Sequence, residues 1–174
     1  MITYNNRISA LTKEKTYQLT DIGLGDEGGM WKFDDINRVE LKFTPTKHYG
    51  GIYQCIVHSH FGKAIISNRK YLSPANFSYQ NEEFNGFIRA LHEKLANVEG
   101  IEFRRGLSKS SFYTQLVAML IIMPLVISVM LAFGQLIIAG LMLLIVLIRL
   151  VPFFKKNKPG NYDPRNIPDR LLPS

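Results

Sequence analysis

The chain has 174 residues, 47% of them hydrophobic, with a formal net charge of +7 and a mean hydropathy near zero. That length admits one soluble domain of ordinary size and a smaller element beside it, and the single cysteine, Cys55, excludes an intramolecular disulfide and a cysteine-based zinc framework. No Asp or Glu occurs between Glu102 and Asp163, while Arg104, Arg105, Lys109, Arg149, Lys155, Lys156 and Lys158 all fall there, so the basic balance points to a membrane surface before nucleic acid.

The opening residues, MITYNNRISALTKEK, have neither the apolar core of a signal peptide nor the Met-Gly start of a myristoylated chain. The amino end is expected to stay in the cytoplasm. Residues 1–80 read as strands. Thr16–Leu24 and Met30–Phe33 form a short pair around GLGDEGG. Val39, Leu41 and Phe43 alternate with Glu40 and Lys42, the period of a half-buried strand. In the next run Tyr53, Cys55, Val57 and Phe61 share one face and Gln54, His58 and His60 the other. HFGKAIIS then supplies a glycine-centred turn into a strand near Lys63–Ser67.

At residue 81 the period changes. Phe84, Phe87, Ile88, Leu91, Leu95 and Val98 follow helical spacing, Glu82 and Glu83 suit the amino end of a helix, and Asn81 is a candidate cap. Strands followed by one amphipathic helix predict an α+β domain, a curved antiparallel sheet or open barrel capped by that helix. Its expected extent is 1–103, with a basic juxtamembrane linker over 104–111.

The order of short strands, then FDDINRVEL, then GIYQCIVHSHFGKAIISNRKYLS, then a Phe-rich closing helix resembles the bacterial pleckstrin-homology-like (PH-like) domains, which are often fused to membrane spans. The NYDPRNIPDRLLP ending is also similar to tails of bacterial membrane proteins of this kind. The likeness covers most of the chain but rests on loose hydrophobic patterns, and the closing helix lacks the tryptophan that many members of the wider fold carry. It implies a binding module and names no catalytic residue.

From Leu116 to Ile148 the only strongly polar side chains are Ser128 and Gln135. With its edges, Phe112–Phe154, the run is 43 residues long. As one straight helix it would extend about 65 Å, twice the hydrocarbon thickness. Two spans, Phe112–Phe133 and Leu136–Phe154 with a turn at Gly134-Gln135, are therefore expected: a two-helix transmembrane hairpin over 112–154. Basic residues flank both outer ends and none lies in the turn, which places both termini in the cytoplasm and the protein in the inner membrane. Phe112, Tyr113, Phe153 and Phe154 would anchor at the interface. Acidic, basic and His side chains are missing at membrane depth, so no proton relay or ion site is expected.

The tail, residues 155–174, is basic and spaced by Pro159, Pro164, Pro168 and Pro173, which block a helix. Tyr162, Ile167, Leu171 and Leu172 give it the pattern of an extended docking peptide. Three readings stand open: it lies on its own domain, it docks on a neighbouring subunit or another protein, or it stays without fixed structure.

Sites of chemistry are weighed one by one. Gly23-Leu24-Gly25-Asp26-Glu27-Gly28 fits GxGxxG, but the next residues are strand-like and the loop is acidic, so a hairpin is expected in place of a phosphate cradle. Lys13/Lys15 and Arg69/Lys70 are scattered pairs that do not converge as a headgroup site needs. His58, His60 and His48 lack an obvious acid or thiol to complete a metal site. Cys55 sits on the core face and reads as a small hydrophobe. No serine elbow, carboxylate pair or P-loop occurs, so no cofactor, metal or catalytic residue is expected. Membrane-surface contact is expected from Arg104, Arg105, Lys109, Arg149, Lys155, Lys156 and Lys158. The partners expected are anionic lipid without headgroup specificity and a protein left unidentified by the residues, with self-association compatible and nucleic acid not expected. The function read from this is a membrane-anchored cytoplasmic binding or scaffold module without catalysis. The alternative is an accessory or regulatory subunit of a transport or envelope-synthesis complex that packs through its hairpin.

Overall fold

A computed structural model of the chain describes residues 1–46 and 51–174, with the side chains of residues 131, 142, 147, 149–153 and 156 outside the description. Met1–Arg105 and Gly160–Ser174 together form one unit, and Gly106–Pro159 the other.

The first unit is α+β. Strands β1 (Ile2–Asn6), β2 (Lys15–Leu19), β3 (Gly23–Asp26) and β4 (Gly29–Lys32) form a four-stranded antiparallel sheet in that order. β5 (Ile36–Thr44), β6 (Ile52–Ser59) and β7 (Gly62–Ser67) continue as a second antiparallel array. The alternation seen in the sequence sets its register. Val39 faces Val57, Leu41 faces Cys55 and Phe43 faces Tyr53 across β5–β6, and all six side chains are buried. A one-residue slip would turn them all to solvent. β8 (Arg69–Ser73) and β9 (Asn76–Tyr79) make a separate hairpin.

Among the described residues strand β7 pairs with β6 on one side only. Its other edge is covered by side chains of the first sheet: Tyr4 donates to the Ser67 carbonyl (2.6 Å), and Asn6 Nδ2 (3.2 Å) and the Tyr17 hydroxyl (3.1 Å) donate to the Ile65 carbonyl. These bonds satisfy buried acceptors that a neighbouring strand would otherwise take.

Helix α1 (Asn81–Leu95) buries Phe84, Phe87, Ile88, Leu91 and Leu95 as the 3.6-residue period requires. Three expectations need correction. Asn81 is the first helical residue and not its cap; its amide donates to the Ser174 carbonyl, and its own carbonyl accepts from Asn68. Phe61 lies in the β6–β7 turn and is 74% exposed, since the strand ends at Ser59 and the alternation with it. Thr16–Leu24 is not continuous: the Thr20 hydroxyl accepts from the amides of Ile22 and Gly23 and turns the chain between β2 and β3. His48 lies outside the described residues.

After α1 the chain runs into β10 (Glu102–Arg105), which joins β5 in parallel and so brings Phe103 beside Val39 in the core. Arg104 and Arg105, expected in the linker, are strand residues here.

The second unit holds α2 (Lys109–Ala132) and α3 (Leu136–Asn157), joined by Phe133–Gln135 with Gly134 at φ +70°. Only glycine takes that backbone conformation without steric cost, so the reversal falls where the sequence places it. The helices run antiparallel, with the rings of Phe112 and Phe154 5.4 Å apart near their outer ends. Lys109–Met130 is long and apolar enough to cross a membrane by length and composition, and no residue of its apolar window is buried. Within α3 the apolar stretch Leu136–Val146 is shorter.

Candidate functional site

Gly160 and Asn161 form β11, which pairs antiparallel with β10 through Arg105↔Gly160 and Arg104↔Asn161. The chain therefore leaves the first unit at Arg105 and re-enters it at the residue paired with Arg105. The tail that follows is built into the core. Tyr162 donates its backbone N–H to the Phe103 carbonyl (3.2 Å) and packs edge-on against the Phe103 ring. Asp163 then folds a turn, accepting from the amides of Arg165 (2.9 Å) and Asn166 (3.1 Å). Beyond it Ile167, Leu171 and Leu172 are buried in the same apolar cluster as Phe84 and Leu91. Side chains of α1 and the loop after it hold this segment: Asn97 accepts from Arg165 (3.1 Å), and Asn85 and Asn81 donate to the carbonyls of Pro173 (2.8 Å) and Ser174 (3.1 Å). The prolines suit a path that takes few backbone bonds from a sheet.

One polar pair lies within this packing. His92 is fully buried on the inner face of α1. Its Nδ1 lies 2.7 Å from the Ile88 carbonyl, which only accepts, so Nδ1 carries the proton. Nε2 is then an acceptor, and the Tyr162 hydroxyl donates to it at 2.6 Å. Burial lowers the His92 pKa to about 4 and raises that of Tyr162, with Cys55 adding to the latter. Both groups are thus neutral at physiological pH, and each satisfies the other. Burial also pushes the Cys55 thiol well above its usual range, which disfavours the thiolate that nucleophilic chemistry needs. His92 went unnoticed in the sequence, although a signal was there: it stands four residues after Ile88 and three before Leu95, on the apolar stripe.

The remaining candidates are dispersed. Asp26 of the GxGxxG stretch accepts from the Gly28 amide in the β3–β4 turn, and a Cβ at Gly23 would overlap the Trp31 carbonyl, so these glycines serve a tight hairpin. His58 lies 3.7 Å from Glu40, which also pairs with Arg38 and Lys42, while His60 is exposed in the turn. Burial opposes ionisation of Glu40, but these cations outweigh it and hold its carboxyl below the usual range. Among the described residues no cluster of His, Cys, Asp and Glu could hold a metal ion. Arg69 stacks over Phe77 and Lys70 pairs with Glu14, so those two cations are engaged locally.

Of the residues expected at a membrane surface, Arg104 is exposed in β10 and bonded to Glu102, and Arg105 is partly buried. Lys109 opens α2, and Lys155 and Lys158 are exposed at and just beyond the end of α3. The side chains of Arg149, Phe153 and Lys156 lie outside the description. Comparison with protein-family models, curated proteins and solved structures finds no match to the chain.

Proposed function

We propose that this chain is a membrane-anchored binding module: a cytoplasm-facing PH-like domain, held at the inner membrane by α2 and α3 as two spans, that engages a protein partner without catalysis. The pairing of Arg105 with Gly160 carries the reading. A folded unit occupies one side of a bilayer, so a chain that leaves and re-enters it must cross an even number of times. Once α2 crosses, α3 has to return. The basic residues at both outer ends of the pair and their absence from its turn support the same reading. The exposed window of α2 supplies the apolar surface that a bilayer would cover. Two antiparallel sheets followed by an amphipathic helix support the PH-like reading of the first unit.

Single cysteines at Gln135 and Ser174, in a Cys55→Ala background, test the topology with a membrane-impermeant maleimide. In intact spheroplasts Gln135→Cys should be labelled, and Ser174→Cys only after lysis. Labelling of both from outside, or of Ser174→Cys alone, would end the two-span reading. Binding is tested by gentle solubilisation of native membranes and pull-down of the full chain. Failure to recover any stoichiometric protein partner would count against the module.

A further inference from the structure

A cavity of about 290 Å³ opens where the first sheet meets the edge of β7. Ile8, Ile65 and Tyr17 give it an apolar lining, and Lys13, Lys15 and Lys63 line it as well. The three lysines are exposed, whereas Asn6, which also lines the space, is only 2% exposed. Cations thus stand at the rim and an amide at the floor.

The hydrogen bonding defines what the floor lacks. Asn6 Nδ2 donates to the Ile65 carbonyl, which fixes the orientation of the amide, and Asn6 Oδ1 is buried with no donor. Tyr17 is already committed to the same carbonyl, and the Thr12 hydroxyl to Ser9. A buried acceptor without a donor is destabilising, so a donor arriving from a ligand would be favoured there. At the rim Lys15 is paired with Asp26, while Lys13 and Lys63 have no carboxylate partner among the described residues. Two free ammonium groups suit one acidic head. They are too few for a polyphosphate, and an acceptor at the floor would repel a second anion.

We infer that this cavity binds a small amphiphilic acid, with its carboxylate between Lys13 and Lys63, its apolar body on Ile8, Tyr17 and Ile65, and a hydroxyl or N–H at its far end donating to Asn6 Oδ1. The volume is at the lower end for ligand pockets, which calls for a short chain. The sequence hid this grouping because Lys63 stands fifty positions from Lys13 and reaches the mouth only through the sheet seam. The assignment is independent of the membrane reading.

The test uses the full chain in phosphatidylcholine nanodiscs, with isoleucine methyl signals as reporters and 8-hydroxyoctanoate as the probe. Saturable shifts should appear at Ile8 and Ile65. Octanoate, which lacks the donor, and 1,8-octanediol, which lacks the charge, should each bind about fivefold to tenfold more weakly. Lys13→Ala/Lys63→Ala alters two exposed residues that pair with no carboxylate among the described residues, and should weaken the probe about tenfold. Unchanged binding by that variant, equal binding of the diol, or shifts confined to isoleucines of α2 and α3 would each overturn the proposal. Equivalent shifts with inorganic phosphate alone would overturn it as well, because the site would then be a simple anion site. So would the same shifts on adding phosphatidylglycerol to the disc without free acid, since the occupant would then be a bilayer lipid.

Discussion

The Tyr162 hydroxyl donates to His92 Nε2 at 2.6 Å across 70 positions of sequence, tying the segment that follows α3 to the buried face of α1. The bond is between neutral groups, and His92 is fully buried, so water does not compensate its ring nitrogen. Removing only the hydroxyl should therefore expose an asymmetry. Tyr162→Phe keeps the ring on Phe103 and leaves Nε2 buried without a donor, at a cost of about 1–3 kcal/mol. Urea unfolding of the full chain followed through Trp31, the single tryptophan, reads this directly, because Trp31 packs against the core of the first unit. An unchanged midpoint would mean that the bond is not formed or contributes nothing.

The same pair predicts a pH dependence with a definite sign. In the folded chain burial holds His92 at about 4, against an ordinary value of 6.5. Below 6.5 the unfolded chain therefore takes up a proton that the folded chain refuses. Stability is fully present above 6.5, falls as pH drops toward 4, and loses about 3 kcal/mol over that window. Asp26 and Glu40 have lowered values, so their contributions are lost at lower pH, below their ordinary values of 3.8 and 4.5. The double variant His92→Phe/Tyr162→Phe removes both polar partners together. It should be close to neutral at pH 7 and more stable than the wild type at pH 5. If the double variant kept the wild-type slope between pH 6.5 and 5, His92 would not be its source.

How much of this was readable beforehand depends on the range of the contacts. Alternation in Val39-Glu40-Leu41-Lys42-Phe43 is a local property, and the strand lies where the period puts it. The helical stripe from Phe84 to Leu95 and the reversal at Gly134 were legible for the same reason. Asn81 misled because a cap and a long-range amide donor are the same residue type in sequence; only the return of Ser174 distinguishes them. The tail is the extreme case. Its apolar side chains and prolines marked it as a docking segment, but the receiving surface is made by α1 and β10 and had no local signal. Lys13 was weighed only with its neighbour Lys15, since sequence spacing says nothing of a lysine such as Lys63 that lines the same cavity from another sheet.

Glycines in strands give a contrast between two kinds of neighbour. At Gly23 an added Cβ would overlap the carbonyl of Trp31, a backbone atom fixed by the β3–β4 ladder. At Gly160 the nearest atom is Nε of Arg105, 3.1 Å away and on a long flexible side chain. Gly23→Ala should therefore cost about 1–3 kcal/mol, as overpacking against rigid structure does, while Gly160→Ala should fall within about 0.5 kcal/mol of the wild type. Equal losses in urea unfolding would show that the β10–β11 pairing is as unyielding as the hairpin.

Leu171 and Leu172 decide whether the tail is structural or merely lodged. They are 3% and 5% exposed and belong to the cluster that contains Phe84 and Leu91. A buried Leu→Ala substitution removes apolar contact and leaves space behind it, typically about 2–5 kcal/mol. Leu171→Ala should show that loss in the unfolding of the first unit, whereas Arg170→Ala, at the exposed position before it, should stay within about 0.5 kcal/mol. The distinction matters because a segment held by its own core is not free to serve a partner. If Leu171→Ala left Trp31-detected stability unchanged while abolishing recovery of a protein partner, the tail would belong to that partner's surface and not to this fold. Loss of stability with the partner retained would instead place the tail among the elements that define the first unit. It would then return the chain from α3 into the sheet it left at Arg105.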